Sequence, residues 1–403
     1  TFNGGTGSCG QAGQRSNTSA YEPGSGVTIM GYAGICGTQN LAGTSIDSFH
    51  VRSLEEIIAY SQTGTGNTCA VTTATANTPP SINSVGGSTF NIPRQTPFTL
   101  TAAATDANGD TVTYDWQQYD LGPVTTAVPN TDSDGNARPL FRPFLPSSDG
   151  SRTFPRSQFI LANANVPPNT TGSFMTGELL PAIARTMNFQ VIARDNRAGG
   201  GGVNTATVQV VVAGTGPFAV TSPNTNTTWF LNSNPVVTWN TGGSEGAPIN
   251  AGNVRILLST DGGLTFPTVL NASTPNDGSE AVVSPNLNTA TARIRVEPVG
   301  NIFFDVSDAN FSISNQAATL GDLGGRITTA GGRGVGRVYV TLVGPSTNLI
   351  AVTNAFGYFN FQQVTLNQSY TITPRPRKGT TFNPANIVRN HQAAATDVNF
   401  TTN

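Results

Sequence analysis

Phe189-Gln190-Val191-Ile192-Ala193-Arg194 and Ala206-Thr207-Val208-Gln209-Val210-Val211-Val212, on either side of the glycine run 199–202, set the character of this 403-residue chain. Phe189, Val191 and Ala193 fall on one face at period two, and so do Ala206, Val208, Val210 and Val212. That is the pattern of strands with one buried face, and two such runs joined through glycines predict a pair of neighbouring strands. Upstream the pattern recurs. Phe98, Leu100, Ala102 and Ala104 alternate with outward residues, and beyond Asp106-Ala107-Asn108-Gly109-Asp110 come Val112, Tyr114 and Trp116. Alternating runs around an Asn-Gly turn predict a hairpin. The interval 121–181 is rich in Pro, Asn and Ser and reads as extended loops or irregular edges. Residues 81–213 are thus one β domain.

A second β unit occupies 214–314, with period-two runs at Val237/Trp239, Val254-Ile256-Leu258 and Ala292-Ile294-Val296 and a turn at Ser259-Thr260-Asp261-Gly262-Gly263. Residues 315–322 read as a hinge. The last unit, 323–403, runs through Gly325-Arg326-Ile327-Thr328, Val338-Tyr339-Val340-Thr341-Leu342 and Thr353-Asn354-Ala355-Phe356-Gly357-Tyr358-Phe359. Composition agrees: 45 Gly and 26 Pro suit short strands and turns. The expected fold class is mainly β, three tandem β-sandwiches after a small head with one short helix.

Charged residues make up only 10% of the chain and the net charge is −2, so nothing favours nucleic acid or an anionic membrane as a partner. No apolar run approaches the ~18 residues of a membrane span, and no signal-peptide pattern stands at the amino end. Cys9, Cys36 and Cys69 are the three cysteines, an odd number whose pairing the sequence leaves open. Clustered cysteines in a Ser/Thr/Asn-rich chain fit an exported protein better than a cytosolic one.

The head, 1–62, has a different composition. Thr28-Ile29-Met30-Gly31-Tyr32-Ala33-Gly34-Ile35-Cys36-Gly37 is a glycine-rich turn in which the apolar Ile29, Met30 and Ile35 are expected to be buried. Ser53-Leu54-Glu55-Glu56 has the form of a capping box opening a helix, with Leu54, Ile57 and Ile58 as its docking face. His50 is then a polar partner near the helix start, and His391 an exposed residue of the last sandwich. Residues 63–80 read as a linker.

The turn resembles the Met-turn of metzincin zinc peptidases. Thr1-Phe2-Asn3-Gly4 and Ala20-Tyr21-Glu22-Pro23-Gly24-Ser25-Gly26 look like the segment after the zinc helix in bacterial reprolysin-like members. Residues 97–196 are similar to the immunoglobulin-like or cadherin-like module that follows the peptidase in the same proteins; 214–314, through 258–266, Pro275-Asn276-Asp277-Gly278 and Gly300-Asn301-Ile302-Phe303-Phe304-Asp305, resembles an immunoglobulin-like module of theirs; and 323–403 resembles a carboxypeptidase regulatory-like domain, a transthyretin-like sandwich. The resemblance implies that Met30 packs beneath the zinc ligands and that Ala33, Gly34 and Ile35 line a substrate pocket. Tyr32 in some metzincins contacts zinc or stabilises the intermediate; the other reading is an aromatic packed on its turn.

The zinc motif H-E-x-x-H-x-x-G-x-x-H does not occur, and His50 and His391 are the only histidines. The resemblance therefore implies the carboxyl-terminal portion of a secreted or cell-surface bacterial zinc endopeptidase, inactive by itself, with zinc ligands lying upstream. Its implied partners are a protein or peptide substrate and a cell-surface glycan or protein, and the expected state is an elongated monomer. The alternative is a purely adhesive or structural array of β-sandwich modules. Asp106, Asn108 and Asp110, and with less support Asp132 and Asp134, could form a calcium site, although the same residues suit a turn's own hydrogen bonds. Lys378 stands in a solvated charge run unsuited to an isopeptide cross-link. No G-x-S-x-G elbow or P-loop occurs, and Gly199–Gly202 is too featureless to cradle a phosphate.

Overall fold

The structure, a computed structural model, describes residues 2–11, 13–68, 71–125, 138–315, 320–345, 347–376 and 379–403. Cys69, Asp132, Asp134 and Lys378 lie outside them. The chain is mainly β and divides into two compact units, 1–314 and 315–403.

The alternating pair predicted around the glycines forms an antiparallel ladder, Arg185–Arg194 against Val203–Val212, with Phe189 opposite Val208 and Val191 opposite Ala206. Thr113–Gln118 pairs with the first of these strands and Thr89–Ile92 with the second, making a four-stranded sheet. Trp116, Phe189, Val191, Val208 and Val210 point into its core. The hairpin expected around Asn108-Gly109 does not form. Phe98–Thr101 pairs with Ser151–Phe154, and Ala103–Thr105 with Ser81–Ser84, while Thr113–Gln118 goes to the other sheet. A turn with Asn-Gly chemistry reverses the chain, but burial of Phe98 against Phe141, Phe154 and Phe189 draws the upstream strand across the core.

The second sandwich places Ala219–Ser222, Val236–Asn240 and Ser279–Ala281 in one sheet. Thr289–Pro298 runs through the other, between Asn253–Ser259 and Phe311–Ser314. The two sandwiches share a single apolar core. Phe218 stacks edge-on with Phe303 at 5.3 Å, Phe304 N donates to Pro97 O at 2.9 Å, and Phe218 N donates to Thr96 Oγ1 at 3.0 Å. A contact this apolar leaves no flexible joint between them.

Asp305 closes the same junction. It is 1% exposed, and its carboxylate accepts from Val220 N at 2.7 Å and from Asn165 Nδ2, on the first sandwich, at 2.7 Å. Burial pushes its pKa up to about 7 despite those donors.

The second unit has two four-stranded sheets, ordered Tyr358–Thr365, Leu320–Thr329, Ala395–Thr402, Phe382–Asn383 and Thr347–Val352, Tyr339–Gly344, Gln368–Pro374, Ile387–His391. Its core is built on Ile327, Val340, Leu342, Ile372 and Phe400. Leu320–Asp322, read as hinge, belong to its first strand. His391, expected at the surface, is buried, and its Nε2 meets Gly321 O at 3.1 Å.

A carboxyl whose pKa rises on folding contributes stability that is complete below its unfolded value near 3.8 and is lost as pH climbs through about 7. Thermal denaturation of the wild type and of Asp305→Asn between pH 4 and 8 should therefore show the wild type losing ground steadily relative to the variant as pH rises. Parallel curves would show that Asp305 does not titrate in this range.

Candidate functional site

The head is organised by a buried carboxylate. Glu22 is fully buried, and its Oε2 accepts from Val27 N at 2.7 Å and Thr28 N at 3.1 Å, while Thr28 Oγ1 donates to Oε1. Three donors on one carboxylate fix the entry to the Met30 turn. Gly31 N then closes it on Thr28 O at 2.8 Å, and Tyr32 N returns to Ser25 O at 2.7 Å. Gly34 sits at φ +94°, and a Cβ there would lie 2.5 Å from Gly43 O, so the position admits glycine alone. Cys9 and Cys36 form a disulfide beneath Phe2 and Tyr32, whose rings lie 4.9 Å apart.

Because the turn is held by polar groups, its apolar side chains face outward. Ile29, Met30 and Ile35 are 45%, 52% and 49% exposed, which corrects the expectation that they are buried. Met30 and Tyr32 line a groove of about 650 Å³ with Phe2, Arg15, Glu56, Ile57 and Tyr60. Ala33, Gly34 and Ile35, expected as a pocket wall, lie outside its lining. Ile57, expected on the docking face of the helix, turns to the groove instead.

That helix, Val51–Ile58, begins two residues before the predicted box. His50 is its N-cap, with Nδ1 accepting from Arg52 N at 3.2 Å, whereas Ser53 is buried and its hydroxyl has no partner among the described residues. Glu56 pairs with Arg52 at 2.9 Å and accepts from Ser19 Oγ at 2.7 Å. His50 is 1% exposed, and burial lowers its pKa against the opposing field of Glu22, so the imidazole is neutral. Its Nε2 meets Gln118 O at 3.3 Å.

The head has no core of its own size to stand on and borrows one. Gln117 Oε1 accepts from Val51 N at 2.7 Å, Arg142 Nη1 donates to Leu41 O at 2.8 Å, and Met175 packs on Val27 and Leu41. Tyr21 stacks on Tyr119 at 4.7 Å, and the Tyr119 hydroxyl donates to Glu55. Burial, with that bond, pushes the Tyr119 pKa up to about 12. These buried polar contacts escaped the sequence reading, since alternation assigns Gln117 and Gln118 no role beyond a strand end.

No group of three or more His, Cys, Asp or Glu residues able to hold a metal occurs among the described residues. On the turn read as a calcium site, Asp106 Oδ1 accepts from Asn108 N at 2.8 Å and Asp110 N at 3.0 Å, Asn108 Oδ1 accepts from Thr78 N at 2.8 Å, and Asp110 pairs with Arg197 at 3.3 Å. Those oxygens serve the turn and its neighbours, while Asp106 Oδ2 is buried with no hydrogen-bond partner among the described residues. No helix among the described residues is long and apolar enough to cross a membrane.

No protein-family model matches the chain, and no curated protein is similar to it in sequence. Among solved structures it is similar to the Bacillus anthracis TIE protein (9% identity, TM-score 0.25), covering 88% of this chain and 62% of that one. It is also similar to Sidekick-1 immunoglobulin domains 1–5 (10%, 0.19), covering 84% and 61%. Chicken CNTN1 FN1–FN3 domains give 10% and 0.18, covering 78% and 97%. The chain spans about three fifths of the length of the first two. At such TM-scores the sandwiches rest on their own sheets.

Glu22→Ala should cost about 3 kcal/mol, because it strands three buried donors, whereas Met30→Ser, at a half-exposed position, should stay within about 0.5 kcal/mol; urea titration measures both. Ca²⁺ titration followed by calorimetry should give no heat and no rise in melting temperature; either signal would restore the 106–110 turn as a cation site.

Proposed function

We propose that this chain works outside the cell as a non-catalytic array of β-sandwich modules that holds a binding head in a fixed orientation. The observation that carries this reading is the buried polar seam between head and first sandwich, continued by a core common to both sandwiches of the first unit. Such a scaffold presents a surface without moving. The surface presented is the Met30–Tyr32 groove, with aromatic and thioether walls and a charged rim of Arg15 and Glu56, which suits an extended peptide segment of a protein partner. The last module serves attachment to a surface protein or glycan.

A second reading is favoured by one observation. The Met30 turn is rigidly anchored on Glu22 yet leaves its apolar residues exposed, as the floor of a site completed by another segment would be. On that reading the head is the carboxyl-terminal part of a reprolysin-like zinc peptidase domain, and zinc would be held by that other segment.

Both readings make the 403-residue chain inactive alone. Incubated with Zn²⁺ and a generic protein substrate, it should give no chelator-sensitive cleavage, and cleavage abolished by a chelator would overturn both. The coding sequence ahead of Thr1 separates them: H-E-x-x-H-x-x-G-x-x-H there supports the peptidase reading, and its absence leaves the array.

A further inference from the structure

In the first sandwich, three guanidinium groups surround one aromatic ring. Arg142, Arg152 and Arg156 lie 5.5, 4.8 and 4.5 Å from the centre of Phe144. One carboxylate touches the cluster. Glu178, whose side chain is fully buried, meets Arg152 at 3.5 Å and Arg156 at 3.4 Å. Asp115, buried beside the cluster, faces Arg194 at 3.8 Å, accepts from Gln117 and partly offsets the charge of Arg152, while Glu22 serves the head. Counting Arg194, four cations stand against the two buried anions Glu178 and Asp115, a local positive surplus in a chain of net charge −2.

Burial makes that surplus costly, since an uncompensated charge in a low-dielectric site is expensive. Desolvation lowers the pKa of both Arg142 and Arg152, and Arg156 adds its repulsion in each case. Nε of Arg142 and of Arg152 are buried without a hydrogen-bond partner among the described residues. Arg156 spends only its Nε on Glu178, and its side chain remains 40% exposed, so both terminal amino groups stay available in the fork geometry that takes an oxyanion.

Beside the cluster opens a pocket of about 290 Å³, and Arg152 and Arg156 both line it. Its apolar wall is Trp116, Phe144 and Leu145, and Ser147, whose Oγ accepts from Asp149 N at 3.1 Å, and Ser157 line the same space. Two carboxylates also line it: Asp115, buried and facing Arg194, and Asp149, exposed, with Oδ1 accepting from Ser151 N at 2.9 Å. Cation, aromatic wall, hydroxyls and a carboxylate acceptor together match a small ligand carrying one carboxylate and several hydroxyl groups.

We propose that this pocket binds an acidic sugar residue, a hexuronate, with its carboxylate on Arg156 and its hydroxyl groups on Ser147, Ser157 and Asp149. The proposal extends the array reading by giving the first sandwich a glycan ligand, and its failure leaves the role of the head untouched.

The test is a calorimetric titration of the full chain with D-glucuronate, D-glucose, acetate and sulfate, at low ionic strength. Glucuronate is expected to bind, to bind at least tenfold more tightly than glucose or acetate, and to lose about tenfold or more in affinity in Arg156→Gln, a change at a partly exposed side chain. Ser147→Ala should weaken glucuronate and leave acetate unchanged. Absence of glucuronate binding overturns the proposal, as do unchanged affinity in a folded Arg156→Gln, equal affinity for glucose, or acetate and sulfate matching glucuronate. If Arg156→Gln lowers the melting temperature sharply, Ser147→Ala and the ligand series decide the matter.

Discussion

Two adjacent glutamines hold the head on the first sandwich. Gln117 and Gln118, at the end of the Thr113–Gln118 strand, are 0% and 1% exposed. Gln117 takes the Val51 amide at the start of the head helix, while Gln118 offers its carbonyl to His50 and its side-chain oxygen to Leu140 N and Phe141 N at 2.6 and 3.0 Å. Consecutive strand residues point to opposite faces. One thus serves the head and the other the loop that carries Phe141 into the core. An apolar residue at either place would leave buried amides unmatched, at about 1–3 kcal/mol each. The head's position on the sandwich is therefore set by hydrogen-bond geometry as much as by apolar area.

The same logic recurs wherever segments from different parts of the chain meet. Glu22 fixes the Met30 turn, Glu178 gathers two arginines, and Asp305 ties a loop of the first sandwich to a strand of the second. In a chain only 10% charged, these carboxylates sit at junctions instead of on the open surface. Buried ionic and polar groups add little net stability but penalise every misaligned arrangement. That suits a scaffold whose value lies in fixed orientation.

What the sequence disclosed and what it hid divide along this line. The ladder of 185–194 with 203–212 was legible because alternation is a local signal and the glycines between mark a reversal. In the last module the stretches 325–328 and 339–342 fall on strands, whereas Thr347–Val352, Gln368–Pro374, Ile387–His391 and Ala395–Thr402 went unread. The Asn108-Gly109 turn was legible as a turn, but the partners of the strands flanking it are decided by Phe98 seeking Phe141, Phe154 and Phe189 across the core. The helix start was misplaced because Ser53-x-x-Glu56 has capping chemistry, while His50, extended at φ −63° and ψ 145°, occupies the cap. Glycines announced the Met30 turn, but whether Met30 points in or out depends on Glu22, whose burial no periodicity reveals.

The exposure of Met30 bears on what the head can be. An apolar side chain set outward on a mobile loop would collapse onto the nearest surface; here the backbone is pinned on both sides by Glu22 and by the Tyr32 N to Ser25 O bond, so collapse is not open to it. The cost of leaving Ile29, Met30, Ile57 and Tyr60 in water is then built into the fold, and it is recovered only when something covers them. A peptide laid in the groove and a further protein segment packed on the turn would both recover it. They differ in what they ask of Tyr32. A peptide uses its ring as a wall, whereas a metal-bearing segment of the kind some metzincins show would also use its hydroxyl at the metal or the oxyanion. The ring already packs on Phe2 over the Cys9–Cys36 disulfide, which holds it as a wall and limits its reach. That packing supplies the fixed aromatic wall that the binding-head reading asks for.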